Sequence, residues 1–291
     1  MTTEAANQVL EMLRDSERFS AAIPGFSARE PQLDMAAAVA DTLESLDTLV
    51  VEAETGTGKT LAYLVPALLA DGPTIVSTGT KSLQDQLFFK DLPVVIRALG
   101  VRRQVALLKG RANYLCPYRL ALHREEARFL TRETAEQLQV VAHWAGRTRT
   151  GDLAELQELP EDAPVWPWVT STTDNCLGQD CPQYSECPLM RARQAAQEAD
   201  LVVVNHHLFF ADAALKGEGV SELLPSANAV IFDEAHQLPD VAASFFGESI
   251  SARQINELTR DLLSEAGHTA ADLQALNSLC AAIDRAVADM R

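Results

Sequence analysis

The residues best suited to chemistry form a short glycine-containing loop, Ala53-Glu54-Thr55-Gly56-Thr57-Gly58-Lys59-Thr60. An apolar stretch precedes this loop and a predicted helix follows it, which is the context of a phosphate-binding P-loop. Glycines permit backbone angles that point successive N–H groups at phosphate oxygens, and the helix N-terminus adds partial positive charge. The loop therefore predicts a nucleotide site in which Lys59 contacts the β- and γ-phosphates and Thr60 holds Mg²⁺. The alternative is an ordinary glycine turn between a strand and a helix. The general P-loop motif begins with Gly, whereas this sequence has Ala53 at that position.

A second, acidic motif lies farther along the chain, at Val230-Ile231-Phe232-Asp233-Glu234-Ala235-His236. Its apolar residues predict a buried strand, and α/β folds place ligands at the carboxyl ends of such strands. Asp233 is predicted to hold Mg²⁺ through water, and Glu234 to orient and deprotonate the water that attacks the nucleotide. With His236, these residues complete the predicted nucleotide site. A solvated acidic strand end is the alternative interpretation.

Three of the five cysteines lie within twelve residues, which suggests a metal or cluster site. A [4Fe–4S] cluster tolerates such loose spacing, whereas structural zinc more often uses tighter pairs, and unliganded thiols are a third alternative. The spacing alone does not name the metal. Cys280 falls in an apolar helical pattern and is predicted to be a buried, small hydrophobic side chain. The candidate ligands are Cys116, Cys176, Cys181 and Cys187.

Short apolar strands alternate with helices along the chain, which predicts an α/β fold with a parallel sheet and helices on both faces. Between Gly110 and Met190 this alternation stops, and a helical stretch gives way to one rich in Pro, Trp and Cys, which predicts an inserted lobe. After Asp240 the pattern is helical to the end. The predicted strands are 48–53, 74–78, 105–109, 201–205 and 229–233, and the predicted helices include 4–18, 60–70 and 82–89.

The first residues are acidic and lack a basic-then-apolar signal pattern. The longest uncharged apolar stretch near the start, residues 61–70, is far too short to span a bilayer. We therefore expect a soluble cytoplasmic protein with no membrane partner, in which disulfides are disfavoured.

The net charge of −17 is distributed unevenly, which bears on nucleic-acid binding. Residues 81–150 hold 13 Lys and Arg against 6 Asp and Glu, so this basic segment carries +7 and the rest of the chain −24. Such a segment suits a phosphate backbone, although several of the arginines are expected only to solvate helix faces. Binding of single-stranded DNA also needs aromatic side chains on which bases can stack. Trp166 and Trp168 are expected either to form a wedge or to pack the inserted lobe. The candidate contacts are Arg111, Arg119, Arg124, Arg128, Tyr114, Tyr118 and Phe129.

Several further segments, taken in order with the two nucleotide motifs, resemble the XPD/DinG family of superfamily 2 iron–sulfur DNA helicases, in particular its bacterial DinG-like and YoaA-like members. Phe26–Gln32 resembles the adenine-reading Q motif, with Arg29 and Gln32 at its key positions. The other matching segments are Ser77–Thr80 with Leu83, Gln84 and Leu87 (motif Ia), Lys109–Cys116 (entry into the cluster domain) and Asn205–Leu208 (the NHHL segment before the acidic motif). His206 and His207 lack a third ligand, which argues against a metal site there.

The resemblance implies a RecA-like P-loop sheet with an inserted iron–sulfur cluster lobe and the start of a helical arch domain. It implies that four cysteines, Cys116 with the later three, hold a [4Fe–4S] cluster. It also implies that the second RecA-like domain, with its arginine finger, has no counterpart in this sequence, so we expect a fragment that is inactive alone. The implied domains are 1–110 and 191–239 (RecA-like domain 1), 111–190 (cluster domain) and 240–291 (truncated arch).

The function implied by the resemblance is ATP-dependent unwinding of DNA in repair or replication, with 5′→3′ polarity. The implied partners are ATP with Mg²⁺, single-stranded and forked or structured DNA, and replication or repair proteins. The alternative is a nucleotide-gated module that binds single-stranded DNA or senses redox state without unwinding.

Overall fold

The computed structural model describes residues 3–125, 131–217, 223–247 and 273–289, together with scattered positions between 252 and 263. The chain divides into two compact units, residues 1–241 and 242–291. Among the described helices, none is both long and apolar enough to cross a membrane.

A parallel sheet of four strands forms the centre of the first unit, which confirms the predicted α/β class. The strands are β1 (Thr74–Thr78), β2 (Val105–Leu107), β3 (Leu201–Asn205) and β4 (Ala229–Phe232), and they lie in the order β2-β3-β1-β4. Val76 of β1 is aligned with Val203 on one side and with Ile231 on the other. All carboxyl ends therefore meet at one edge of the sheet, where ligands bind in such folds.

Alternate side chains of the strands enter two hydrophobic cores, one on each face of the sheet. Val76 and Val203 belong to the larger core, which contains helices before and after the P-loop. Val202 and Val204 belong to a second core on the opposite face. Because successive strand residues point to opposite faces, the part of β3 that is buried on both faces, residues 201–204, is apolar throughout, as buried parallel strands require.

The helices have the following bounds. In the first unit they are α1 (Glu4–Arg14), α2 (Ser16–Ser20), α3 (Glu30–Ser45), α4 (Lys59–Leu69), α5 (Lys81–Gln86), α6 (Leu92–Leu99), α7 (Pro117–Glu125), α8 (Arg132–Ala145), α9 (Trp166–Val169), α10 (Pro188–Glu198), α11 (His206–Gly217) and α12 (Leu238–Phe246), the last of which continues past residue 241. In the second unit α13 spans Leu273–Asp289, and Cys280 on it is 2% exposed, as predicted.

The predicted strand over residues 48–53 is wrong. This segment has no strand geometry, and the Val50 side chain is 91% exposed. A strand is held by hydrogen bonds to a neighbour, and none of the described strands pairs with these residues. Its apolar, β-branched composition is that of a strand, but composition does not provide a partner.

All three predicted helices have bounds that differ from those expected, and the one predicted over 60–70 spans Lys59–Leu69. The helix predicted over residues 4–18 is interrupted at Asp15, whose side chain accepts a hydrogen bond from the Arg18 N–H and so caps a new helix. The helix predicted over 82–89 begins one residue earlier and widens into a π-helical turn at Leu87–Asp91.

Residues 111–190, here called the cysteine lobe, have a hydrophobic core of their own. Leu138, Val141 and Val165 are fully buried in it. Its described elements are α7, α8, α9 and short 3₁₀ turns, and its described residues contain no strand beyond one bridge between Tyr114 and Asp152. The remainder of the first unit, residues 3–110 and 191–239, is called the sheet domain below.

Candidate nucleotide site and cysteine cluster

The phosphate loop has the backbone geometry that its glycines predict. Gly56 and Gly58 have φ of 83° and 86°, a left-handed conformation that disfavours any residue with a Cβ atom. Gly58 is the N-cap of α4, so Lys59 and Thr60 open that helix. The Lys59 ammonium donates to the Ala53 carbonyl across the loop, at 3.1 Å. The Thr57 hydroxyl donates to the Glu54 carbonyl at 2.7 Å.

Both polar residues of the Q-motif segment contact this loop. The Arg29 guanidinium donates to the Gly56 carbonyl at 2.8 Å, and the Gln32 amide donates to the Gly58 carbonyl at 3.1 Å. Gln32 is buried and Arg29 is exposed. These two residues therefore fix the shape of the loop from the start of α3.

The acidic residues of the second motif begin where β4 ends, as predicted. The Asp233 N–H donates to the Ser77 carbonyl of β1 at 2.8 Å, which extends the strand pairing by one residue. Glu234 then turns the chain with φ of 57°, a conformation that is uncommon for residues other than glycine. The exposed His236 ring lies 3.5 Å from the Glu234 carboxylate.

Tyr63 connects the two nucleotide motifs and was not anticipated from the sequence. It lies one helical turn after Lys59 on α4, and its hydroxyl donates to the Asp233 carboxylate at 3.3 Å. Burial raises the pKa of Asp233, and the neighbouring Glu234 raises it further, while Tyr63 and Lys59 lower it. The spacing of four residues from Lys59 was the available signal, because it puts both side chains on one face of the helix.

A cavity of about 360 Å³ opens beside the phosphate loop. Gly58 and Thr60 of the loop line it, together with Asp91 and Val94. Asp91 belongs to the π-helical turn, and burial raises the pKa of its carboxyl group. The cavity is therefore continuous with the residues that would hold phosphate.

A buried pair lies under the acidic turn. Ser77 Oγ and His206 Nδ1 are 2.7 Å apart, and both side chains are fully buried. Burial lowers the pKa of His206, and the backbone of Asp233 and Glu234 opposes this shift. The buried His206 ring thus contacts the backbone of the acidic turn, whereas His207 is exposed.

The four candidate cysteine ligands line a single pocket of about 80 Å³ in the cysteine lobe. Within the described residues, no group of three or more His, Cys, Asp or Glu side chains is arranged to hold a metal ion. Cys116 thus lies at the same pocket as the three later cysteines, although it is distant from them in sequence.

The charges around this pocket also bear on what it holds. Burial raises the pKa of Cys116, and Cys187 and Cys181 raise it further, because thiolates close together repel one another. Burial lowers the pKa of Arg193 and so does Arg111, while Cys176 and Cys187 raise it. Both arginines line the pocket, where they would offset the charge of several thiolates.

The residues predicted to contact DNA differ in how accessible their side chains are. Tyr114 is 4% exposed and its hydroxyl accepts a hydrogen bond from the Lys109 N–H, so it is unavailable for stacking on a base. Arg119 donates to the Pro167 carbonyl at 2.9 Å.

Of the two tryptophans, Trp166 packs on the lobe core and donates to the Pro160 carbonyl at 2.8 Å. Trp168 is 37% exposed, and its ring lies perpendicular to that of His123 at 4.9 Å. Tyr118 is half-buried and Arg124 is exposed, whereas Arg128 and Phe129 lie outside the described residues.

Comparison with known proteins gives matches over most of the chain. Residues 34–158 match the DEAD/DEAH box helicase family, and residues 170–255 match the DEAD_2 family. The chain is 47% identical over 285 residues to "ATP-dependent DNA helicase YoaA" of Haemophilus influenzae, covering 98% of this chain and 44% of that protein. It is 52% identical over 241 residues to the Escherichia coli protein of the same name, covering 83% of this chain and 38% of that protein. It is also 38% identical over 258 residues to "ATP-dependent helicase DinG" of Mycobacterium tuberculosis, covering 81% of this chain and 38% of that protein. The chain thus spans less than half the length of each of these curated relatives.

Proposed function

Because the chain belongs to the DinG/XPD-like helicase family, we propose that it supplies the nucleotide-binding half of an ATP-dependent DNA helicase. The meeting of the phosphate loop with the Asp233–Glu234 turn at the carboxyl edge of the sheet carries this proposal. Tyr63 bridges the two motifs through its 3.3 Å hydrogen bond to Asp233. The names of the relatives favour a helicase over a module that binds DNA without unwinding it.

In the proposed site, the loop amides and Lys59 bind the phosphates of ATP. Thr60 and Asp233 hold Mg²⁺, and Glu234 orients the attacking water and accepts its proton. The cavity beside Gly58 and Thr60 has room for the sugar and base. A second domain, supplied by a longer polypeptide, would close the other side of the site and contribute an arginine to the transition state.

We further propose that Cys116, Cys176, Cys181 and Cys187 hold a [4Fe–4S] cluster. Their convergence on one pocket beside Arg111 and Arg193 supports this assignment, because cationic side chains offset the negative charge of a thiolate-ligated cluster. When bound, the cluster would link segments of the lobe that are distant in sequence.

Single-stranded and forked DNA is the proposed substrate, in repair or replication and with partner proteins of those processes. The surplus of seven positive charges over residues 81–150 supports this, since the rest of the chain would repel a polyanion. The proposed polarity of movement is 5′→3′.

Strand separation tests the proposal most simply. A polypeptide of the relatives' length should displace a strand from a duplex with a 5′ single-stranded tail when ATP and Mg²⁺ are present. A matched Lys59→Ala protein should not, because it lacks the phosphate-binding ammonium. Equal displacement by both proteins would refute the assignment of the nucleotide site.

A further inference from the structure

Lys109 is buried where the chain passes from β2 into the cysteine lobe, and it lies between two carboxylates. Its ammonium is 2.7 Å from Asp85 and 2.7 Å from Asp152, and its side chain is only 2% exposed. We propose that Lys109 is a positioning residue that fixes the cysteine lobe against the sheet domain, so that the cations of both present one surface to DNA. This proposal rests on the DNA-binding function proposed above.

The Asp85 arm of this junction belongs to the sheet domain. Asp85 lies on α5, and the adjacent Gln84 is fully buried, with its amide donating to the carbonyls of Leu108 at 2.8 Å and Val203 at 3.2 Å. Two neighbouring side chains therefore bind α5 to the strand ends next to Lys109. Any movement of α5 is transmitted to the position of the ammonium.

The Asp152 arm belongs to the lobe and leads directly to the first candidate cysteine. Asp152 forms the isolated bridge with Tyr114, whose hydroxyl also accepts the Lys109 N–H at 3.1 Å. The following amides are held by the lobe, since Leu115 donates to Gly151 and Cys116 to Val169, both at 2.8 Å. The position of Lys109 thus determines how the lobe is joined to the sheet.

The energetics favour a positioning role over a purely stabilising one. Desolvating an ammonium and two carboxylates is costly, and an apolar group of similar volume is often as stable in such a place. The Asp85 side chain stays 29% exposed, so this cost falls mainly on Lys109 and Asp152. What the arrangement supplies is a single relative placement, because the ammonium meets both carboxylates only when the lobe and α5 are correctly aligned.

The basic segment explains why this alignment would matter for DNA. Its exposed cations lie on both sides of the junction, with Lys81 and Lys90 in the sheet domain and Arg124 and Arg132 in the lobe. Their combined attraction for one phosphate backbone requires a fixed spacing, because a linked site binds strongly only when both parts can engage together.

Three charge-matched variants test the proposal in the 291-residue chain: Asp152→Asn, Asp85→Asn and the control Glu136→Gln. Each removes one negative charge, so net charge alone predicts equal or tighter binding of a single-stranded oligonucleotide. Glu136 is 68% exposed on α8 and pairs only with the exposed Arg132 in the described structure. The proposal predicts the opposite sign for the two junction variants, with affinity lowered by about 3- to 10-fold, and no loss in the control.

Hydrogen exchange distinguishes the two arms and does not depend on DNA. Asp152→Asn should speed exchange of the Leu115 and Cys116 amides by about tenfold or more, whereas Asp85→Asn should leave them protected. Should Asp152→Asn fail to fold, lowered DNA affinity in Asp85→Asn with these amides protected still supports the proposal.

Wild-type DNA affinity in both junction variants, or unchanged exchange in a folded Asp152→Asn protein, would overturn it. If the wild-type chain binds no DNA, the proposed DNA-binding function fails. Accelerated exchange in Asp152→Asn would then still support the proposal that Lys109 fixes the cysteine lobe against the sheet domain.

Discussion

Placing a methyl group on Gly58 should damage the nucleotide site in a way that can be separated from simple backbone strain. Gly58 has φ of 86°, and a residue with a Cβ atom loses roughly 1–2 kcal/mol in that conformation. The Cβ of Gly58→Ala would also collide with the Gln32 amide, whose hydrogen bond to the Gly58 carbonyl contributes about 1 kcal/mol. The two effects together amount to roughly 2–3 kcal/mol.

This cost should appear as lost affinity more than as lost stability. None of the loop residues is buried, so the free variant can relax to a negative φ, and binding of phosphates must restore the strained conformation. At a factor of ten per 1.4 kcal/mol, MgATP affinity should fall by roughly 30- to 150-fold. Fluorescence titration with a labelled nucleotide measures this, and thermal unfolding should show only a small change.

Gly56→Ala is the matched control. Gly56 has φ of 83° but no atom within 4 Å of the added Cβ, so only the strain applies and the loss should be roughly 5- to 30-fold. The difference between the two variants isolates the contact with Gln32. Affinity of Gly58→Ala within about twofold of wild type would show that neither strain nor the contact with Gln32 weakens nucleotide binding. Equal losses in the two variants would show that the contact with Gln32 contributes nothing.

Three further predictions concern the cysteine lobe and its charges. Anaerobically purified protein should contain about four irons per chain, and Cys181→Ser should lose them while Cys280→Ser retains them; stoichiometric zinc without iron would contradict this. Reversing Arg124 and Arg128 to Glu should weaken binding of any single-stranded sequence about equally, with a shallower dependence of affinity on salt, and unaltered affinity would place the contact elsewhere. Burial raises the pKa of Tyr114 to about 12, so the unfolded chain, titrating near 10, loses its proton first. The contribution of Tyr114 to the free energy of unfolding, measured in urea, should therefore be lost between pH 10 and 12, by roughly 3 kcal/mol at most. Tyr114→Phe should show a correspondingly smaller decline than wild type, because burial also raises the pKa of Tyr63 and the remaining decline comes from that residue.

The sequence predicted the buried strands well because their composition reflects their surroundings. Leu201–Asn205 is covered on both faces and is apolar almost throughout, so its bounds could be predicted to the residue. Residues 48–53 have the same kind of composition, yet no described strand pairs with them. Pairing is a property of two segments, and a local pattern reports only one of them.

The motifs of the nucleotide site were also predictable, since their spacing is local, but the residues that connect them were not. Tyr63 contacts Asp233 only because folding brings α4 close to the residue that follows β4. Lys109 was identified only as the start of the segment that resembles the entry into the cluster domain, and its burial between Asp85 and Asp152 depends on two segments brought together by folding. Long-range electrostatic contacts of this kind leave no periodic signal in the sequence.

We propose that Lys59 and Thr60, with Asp233 and Glu234, form one half of a DNA-stimulated ATPase site. The most direct test is the rate of ATP hydrolysis, with and without single-stranded DNA, in this chain and in a polypeptide of the relatives' full length. If a second domain supplies the opposing arginine, as proposed, this chain on its own should hydrolyse almost no ATP, because that arginine is worth about 10³–10⁵ in rate. The longer polypeptide should be faster by orders of magnitude when DNA is present, and Lys59→Ala should abolish that activity. Hydrolysis by this chain alone at the rate of the longer polypeptide would show that these residues do not need a second half of the site. DNA-stimulated hydrolysis that survives Lys59→Ala would show that the phosphate loop is not the site of the reaction.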